Sequence, residues 1–197
     1  MSYDCSPRQN NIIAIFIHQL NNPLLSHSGQ LITHLGVATY YIPLSLLIFF
    51  VTKFILQKPK IAAITLFLLL ALTIPGITCD IIKFIVSRAR PIELFHYHAY
   101  GFYLFHIKYE FNSFPSGHAT CIASLMMALS LLWPRFWPGF MLIMLLVGLS
   151  RVVITAHFLS DVMMGWYLGA IMTIYIYRIL QHKGLMLYDS AYADETN

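Results

Sequence analysis

Five stretches of this chain are apolar for so long that water is a poor solvent for them: Ile32–Thr52, Ile61–Ile82, Gly117–Trp133, Phe136–Val153 and Phe158–Tyr177. A helix that crosses a bilayer needs roughly 20 mostly apolar residues, because the hydrocarbon layer is about 30 Å thick. In lipid every backbone N–H and C=O must be paired within the segment, so runs of this kind predict helices. The first two runs reach the full length, although Pro75-Gly76 is expected to kink the second and Asp80 is polar. The last three are shorter, which places their ends in the headgroup zone. Composition agrees: 58% of the 197 residues are apolar and 10% charged, against about 45–50% and 25% in a soluble domain. A mean hydropathy of +0.69 excludes an ordinary soluble enzyme, a disordered tail and a nucleic-acid-binding arm. The chain therefore reads as one all-α integral membrane domain, 1–197, a bundle of about five transmembrane helices.

The segment Asn11–Leu25 is too short to cross and is interrupted by Asn21-Asn22-Pro23. Its apolar residues Ile12, Ile13, Phe16, Ile17 and Leu20 recur at helical spacing, which predicts an amphipathic helix lying in the membrane interface. The polar tail 181–197 holds Asp189, Asp194 and Glu195 and is expected to be loosely ordered on the cytoplasmic side. No cleavable signal peptide is expected, since no early apolar stretch ends in a small-residue cleavage site. Cys5, Cys79 and Cys121 are an odd number without metal-ligand spacing; the latter two read as packed thiols. With five spans, Lys53, Lys58, Lys60, Arg135, Arg178 and Lys183 share one side. Arg8, Lys83, Arg88, Arg90, Lys108 and Arg151 share the other. The tie breaks if Lys83, Arg90 and Arg151 are held for chemistry, which puts the first group in the cytoplasm and the N-terminus outside.

Three clusters fall on that outer face. Lys83 and Arg90 are seven residues apart, two helical turns, so both cations can point the same way; Pro91 then marks the exit into a loop. Taken alone, the two read equally as basic residues snorkelling at a helix end. Phe114-Pro115-Ser116-Gly117-His118 precedes an apolar run and would set the N–H groups of Ser116, Gly117 and His118 at a helix N-terminus, a ready anion site. The alternative is an ordinary helix cap. Ser150-Arg151 is followed by His157 and Asp161, four apart, so the carboxylate can reach the imidazole and fix its tautomer. A break near Thr155-Ala156 would let Arg151 end one helix and His157 open the next. A self-satisfying buried pair is the alternative, but a carboxylate inside a membrane protein is costly and points to function. Together the clusters give three cations, a helix N-terminus, two histidines and a histidine-orienting acid: the parts that phosphoryl transfer needs, without a metal.

In order, Lys83-x6-Arg90-Pro91, Pro115-Ser116-Gly117-His118 and Ser150-Arg151-x5-His157-x3-Asp161 resemble the three-part signature of the type 2 phosphatidic acid phosphatase family, whose site is shared with vanadium haloperoxidases. All the signature positions match, over roughly Lys83–Gly169. The one departure is the reduced first span, since many bacterial members have six. The resemblance implies His157 as nucleophile forming a phosphohistidine, Asp161 orienting it, and His118 protonating the leaving group and then activating water. It implies Lys83, Arg90, Arg151, Ser116 and Gly117 as phosphate ligands, no cofactor, and a site on the extracytoplasmic face of a bacterial inner membrane. Substrates in that frame are lipid A phosphates, undecaprenyl diphosphate, phosphatidylglycerophosphate and phosphatidic acid. Among bacterial members, lipid A 1-phosphatases and undecaprenyl diphosphate phosphatases resemble the chain most. Transfer of the phosphoryl group to an acceptor lipid, or lipid-phosphate transport without chemistry, are the competing functions.

Other residues invite a role. His96-Tyr97-His98, with His106 nearby, has metal-like spacing, but no further ligand stands close and an interfacial loop explains it. Tyr100, Phe102, Tyr103 and Phe105 read as an interfacial belt. Arg88 either touches the headgroup or anchors the span. Lys108 and Glu110 read as solvated, His34 as a helix-end histidine, and Ser150 as structural.

Overall fold

The computed structural model describes residues 9–20, 22–97 and 100–185. Cys5, Arg8, His98 and the acids of the tail lie outside the described residues. Among those described, all regular structure is helical, apart from one isolated bridge between Arg88 and Phe102.

The N-terminal stretch expected as one helix is two. Helix α1 spans Gln9–Leu20 and α2 spans Pro23–Thr33. The break falls at the predicted Asn-Asn-Pro: the Asn22 side chain accepts from the amides of Leu24 at 3.0 Å and Leu25 at 3.4 Å, while Pro23 occupies the first turn, where its missing donor costs nothing. After a tight turn at His34–Gly36, α3 covers Ala38–Phe50 and continues through a wide helical turn, Val51–Ile55. Helix α4 is Pro59–Val86 and the short α5 is Pro91–Tyr97. Then come α6, Gly117–Leu132, α7, Trp137–Val153, and α8, Leu159–His182. Among the described residues, four segments are long and apolar enough to cross a membrane: Pro23–Ile55, Pro59–Val86, Pro134–Val153 and Leu159–His182. Helix α6, at 16 residues, is apolar but shorter and lies in the centre of the bundle. The expected five spans are thus four long helical segments and a short central helix, the first beginning nine residues earlier than expected.

Small residues set the packing around α6. A Cβ on Gly165 would come within 2.7 Å of the Ser116 carbonyl oxygen, and one on Gly169 within 2.5 Å of the Thr120 carbonyl oxygen. Between apolar helices in lipid, close backbone approach supplies the dispersion contacts that hydrophobic exclusion cannot. Alpha-2 lies along α7 in the same manner, with Gly29 against Val153 and Ile154, and in the turn after α2 Gly36 packs against Val147 of α7 and the His118 Cβ of α6. At the far end of α4, α6 and α8, Phe67, Ala71, Ala128, Ile176, Tyr177 and Leu180 form a buried apolar cluster. The outer face of α3, with Tyr40, Leu44, Leu47 and Phe50, stays exposed, as a lipid-facing surface does.

The ends of α4 and α7 and the starts of α6 and α8 converge at the other end of the bundle. Helix α4 stops at Ser87, whose left-handed backbone (φ 41°) turns the chain into the loop. That loop is stitched back on itself: Ala89 N–H donates to the Gly101 carbonyl at 3.1 Å, Arg90 N–H to Glu110 at 2.9 Å and Ser113 N–H to Arg88 at 3.0 Å. Alpha-7 and α8 are separated at 154–158, around the predicted break at Thr155-Ala156. The Arg151 carbonyl accepts from the amides of Ala156 at 3.0 Å and His157 at 3.3 Å, which closes the turn and presents His157 next to α8.

Candidate active site

Asp161 is the structural centre of this end. It is the third residue of α8, fully buried, and its Oδ2 accepts from the Phe158 amide at 3.0 Å, capping the helix. The same oxygen accepts from the Ser113 hydroxyl at 2.6 Å, and Oδ1 accepts from Arg88 Nη1 at 2.5 Å. Its backbone carbonyl accepts from the Ser116 N–H at 3.0 Å. One residue thereby ties together the exit of α4, the start of α6 and the start of α8.

His157 is 3% exposed, and its Nδ1 donates to the Ser113 carbonyl at 2.8 Å. The direct His157–Asp161 hydrogen bond expected from their spacing is not made: Nδ1 and Oδ2 are 3.9 Å apart. The carboxylate is committed to Arg88, Ser113 and the helix cap instead, and a backbone carbonyl sets the tautomer, leaving Nε2 as the free nitrogen. Burial, then the cations Arg90, Arg151 and Lys83, hold His157 well below the usual imidazole range, against the raising effect of the Ser113 carbonyl. These surroundings disfavour the imidazolium.

The phosphate-ligand candidates sit around it unequally. Lys83 lies in the last turn of α4 with its ammonium 2.8 Å from where a Cβ on Gly117 would be, so the missing side chain at Gly117 is what admits the cation to the α6 N-terminus. Lys83 also pairs with the exposed Asp80 at 3.2 Å. Arg90 is not on the helix of Lys83, since α4 ends at Val86. The loop returns it to the site, with Nε donating to the Tyr109 carbonyl at 3.0 Å and the guanidinium 3.8 Å from the Tyr109 ring centroid. Arg151 donates from Nη1 to Thr33 Oγ1 on α2 at 2.8 Å, and its buried Nε has no protein acceptor. A guanidinium carries five donors, so most of those on Arg151 remain for an anion. His118 opens α6 within electrostatic reach of Arg151, Lys83, Arg90 and His34. Ser116, expected as a phosphate ligand, instead caps α6, its hydroxyl accepting from Ala119 N–H at 3.5 Å. Its own N–H is spent on Asp161, which leaves Gly117 and His118 as the first-turn amides with no carbonyl ahead of them. Ser150 bonds locally, to the Val147 carbonyl at 2.7 Å.

Two residues gain weight over the sequence reading. Arg88 is 3% exposed, neither solvent anchor nor free headgroup ligand; a buried carboxylate needs a named cationic partner, and that requirement was the available signal for it. Ser113 carried no signal, because its carbonyl and its hydroxyl meet His157 and Asp161 from 44 and 48 positions away. Thr33 is brought to Arg151 from 118 positions away, which no local pattern encodes. Among the described residues no three His, Cys, Asp or Glu side chains are grouped to hold a metal; His98 of the loop pair falls outside them.

Three cations, a helix N-terminus and two histidines meet at one end of a helical membrane bundle. The sequence model of the PAP2 superfamily matches residues 64–185, and the chain belongs to that superfamily, whose members among its relatives are phosphoric ester hydrolases of membrane lipids. It is 28% identical over 172 residues to a lipid A 1-phosphatase of Rhizobium johnstonii, covering 82% of this chain and 70% of that one. It is 31% identical over 151 residues to a lipid A 1-phosphatase of Rhizobium etli, covering 72% and 65%. An undecaprenyl-diphosphatase of Sulfolobus acidocaldarius is 28% identical over 121 residues, covering 61% of this chain and 57% of that one. The fold is that of Aquifex aeolicus LpxE, with a TM-score of 0.56 and 23% identity over 90% of this chain and 99% of that one. It is also that of the transmembrane PAP2-type phosphatidylglycerolphosphate phosphatase from Bacillus subtilis, with a TM-score of 0.59 and 21% identity over 91% and 88%.

Proposed function

We propose that this protein removes a phosphate group from a membrane lipid at the extracytoplasmic face, without a metal, through a phosphohistidine on His157. The observation that carries this reading is the convergence of Lys83, Arg90 and Arg151 on the buried His157. Cations held in place before the substrate arrives stabilise charge on the transferring phosphoryl oxygens without reorganising.

In the first step His157 Nε2 attacks phosphorus and the bond to the leaving oxygen breaks. His118, protonated once the negative phosphate lies against it and offsets the neighbouring cations, gives its proton to that oxygen. In the second, His118, now neutral, takes a proton from water, the water oxygen bonds to phosphorus and the P–N bond breaks, which releases inorganic phosphate and restores both histidines. Lys83, Arg90, Arg151 and the amides of Gly117 and His118 hold the equatorial oxygens.

The charge distribution supports an outward-facing site. Of the basic residues on the site side, Arg88, Arg90 and Arg151 are buried in the protein, and Lys83 is engaged with Asp80 and the α6 N-terminus. They do not act as topology anchors. Lys53, Lys58, Lys60, Arg135, Arg178 and Lys183 at the opposite end then dominate, and that end is cytoplasmic. Helix α1, with Ile12, Phe16 and Leu20 exposed, lies in the outer interface. The relatives named above support a lipid A-type 1-phosphate as the first substrate, with undecaprenyl diphosphate next.

The test is phosphate release by the purified protein in detergent, offered lipid A, undecaprenyl diphosphate, phosphatidylglycerophosphate and phosphatidic acid, beside His157→Ala. Release from lipid A by the unsubstituted protein alone is expected. Product formed only when an acceptor lipid is added would replace hydrolysis by transfer.

A further inference from the structure

Among the described residues, Arg88 is the one buried cation at this end that does not face the phosphate cradle. Nη1 donates to Asp161 Oδ1 at 2.5 Å and to Ser160 Oγ at 2.7 Å, Nη2 donates to the Tyr100 hydroxyl at 3.2 Å, and the guanidinium lies 4.3 Å from the Phe158 ring centroid. Both of its terminal nitrogens and its face are engaged by protein groups, and only the buried Nε has no acceptor, whereas Arg151 keeps most of its donors free. An interfacial anchor would carry its charge into water, and this one does not.

The need for a fourth cation follows from the other three. A bare carboxylate 3.9 Å from His157 Nδ1, with Lys83, Arg90 and Arg151 nearby, would pair with one of them and remove it from the phosphate. It would also draw a proton onto the imidazole that has to attack.

We propose that Arg88 is a positioning residue for the reaction: by clamping Asp161 it keeps the three cradle cations free for phosphate and leaves the Ser113 carbonyl to set the His157 tautomer. The inference rests on the reading of His157 as nucleophile. It also gives Asp161 a task once phosphorus is bonded to Nε2. The ring then carries positive charge with its proton still on Nδ1, and the carboxylate stands close enough to stabilise that charge without having taken the proton. The groups facing His157 are Lys83 from α4, Arg90 and the Ser113 carbonyl from the loop, Arg151 from α7 and Asp161 from α8; α6 contributes His118, within reach of the same three cations.

The test compares the unsubstituted protein with Arg88→Gln, Arg88→Lys, Ser113→Ala and the double variant Arg88→Gln/Asp161→Asn. Steady-state phosphate release from short-chain phosphatidic acid in detergent is followed against pH, and orthovanadate inhibition reads the cradle. In Arg88→Gln, kcat is expected to fall about 10- to 100-fold, as for groups that orient a histidine from behind, with KM and vanadate inhibition within about threefold. The acid limb of kcat/KM should move up by about one pH unit, since an unpaired carboxylate now favours the imidazolium. Arg88→Lys should restore the limb, and so should the double variant, which removes the carboxylate charge. Ser113→Ala, which keeps the carbonyl, should lower kcat but not KM, and tests the clamp even if Arg88→Gln does not fold. A tenfold weaker KM and vanadate inhibition with kcat retained would make Arg88 a phosphate ligand and overturn the proposal. A loss of active protein with an unmoved pH profile would make it merely structural. His157→Ala alongside separates the levels: activity surviving in it overturns the nucleophile reading, whereas an unmoved Arg88→Gln profile with His157→Ala inactive overturns the clamp alone.

Discussion

The His157 imidazole donates through Nδ1 to the Ser113 carbonyl at 2.8 Å. That bond places the proton on the nitrogen facing away from the cradle and frees Nε2 for phosphorus. It also changes what a substitution at Asp161 does. Asp161→Asn leaves the tautomer-setting carbonyl in place but strands Arg88 as a buried cation, and breaking a buried ion pair from one side costs about 3–5 kcal/mol. Phosphate release should fall by more than about tenfold and the melting temperature in detergent should drop together. A variant that melts and turns over like the unsubstituted protein would show the Arg88–Asp161 pair to be dispensable.

Gly117→Ala probes the approach of Lys83 to the α6 N-terminus. The added Cβ would lie 2.8 Å from the ammonium, the far end of a flexible side chain, so the fold should survive with the lysine displaced. Vanadate inhibition and KM should weaken several-fold while the melting temperature moves little. An unchanged vanadate affinity would remove Lys83 from the cradle.

Gly169→Ala acts on packing. Its Cβ would meet the Thr120 carbonyl oxygen at 2.5 Å, and backbone cannot rotate out of the way. Overpacking of this kind costs typically about 1–3 kcal/mol. A clear fall in melting temperature is expected; no change would mean that α6 and α8 are less tightly apposed.

The spans and the site were legible to different depths. Long apolar runs located α4, α7 and α8 because lipid demands a length that composition alone reveals. Asn22-Pro23 announced its helix break through ordinary capping chemistry. The first span is expected only from Ile32, although the helix starts at Pro23, since Ser26, His27 and Ser28 interrupt the apolar run between them. The cradle cations were visible as charges inside an apolar chain, but the route to the site was not: Arg90 was placed on the helix of Lys83, and the turn at Ser87 that ends α4 depends on a loop folding back from Gly101 and Tyr103. Four-residue spacing put Asp161 near His157 but could not say which partner the carboxylate takes, since Arg88 and Ser113 reach it from 73 and 48 positions away.

Acid should destabilise the protein through His157. Its folded value lies well below the ordinary 6.5, so between the two values the unfolded chain binds more protons. Stability therefore rises with pH across that window and is lost as pH falls below about 6.5, by up to about 1.4 kcal/mol per pH unit from this group. Melting temperature against pH should fall less steeply on acidification in His157→Gln. Parallel curves would mean that the ring is not held neutral.

The central claim is the covalent intermediate at His157. The most direct measurement is a rapid alkaline quench of the protein with a lipid phosphate radiolabelled on phosphorus, since phosphohistidine survives base and is lost in acid, with His157→Ala and His118→Ala in parallel. The account predicts acid-labile label on the unsubstituted protein, more of it in His118→Ala when the leaving group needs no protonation, and none in His157→Ala. Label retained in His157→Ala, or phosphate released by that variant at an undiminished rate, would contradict it.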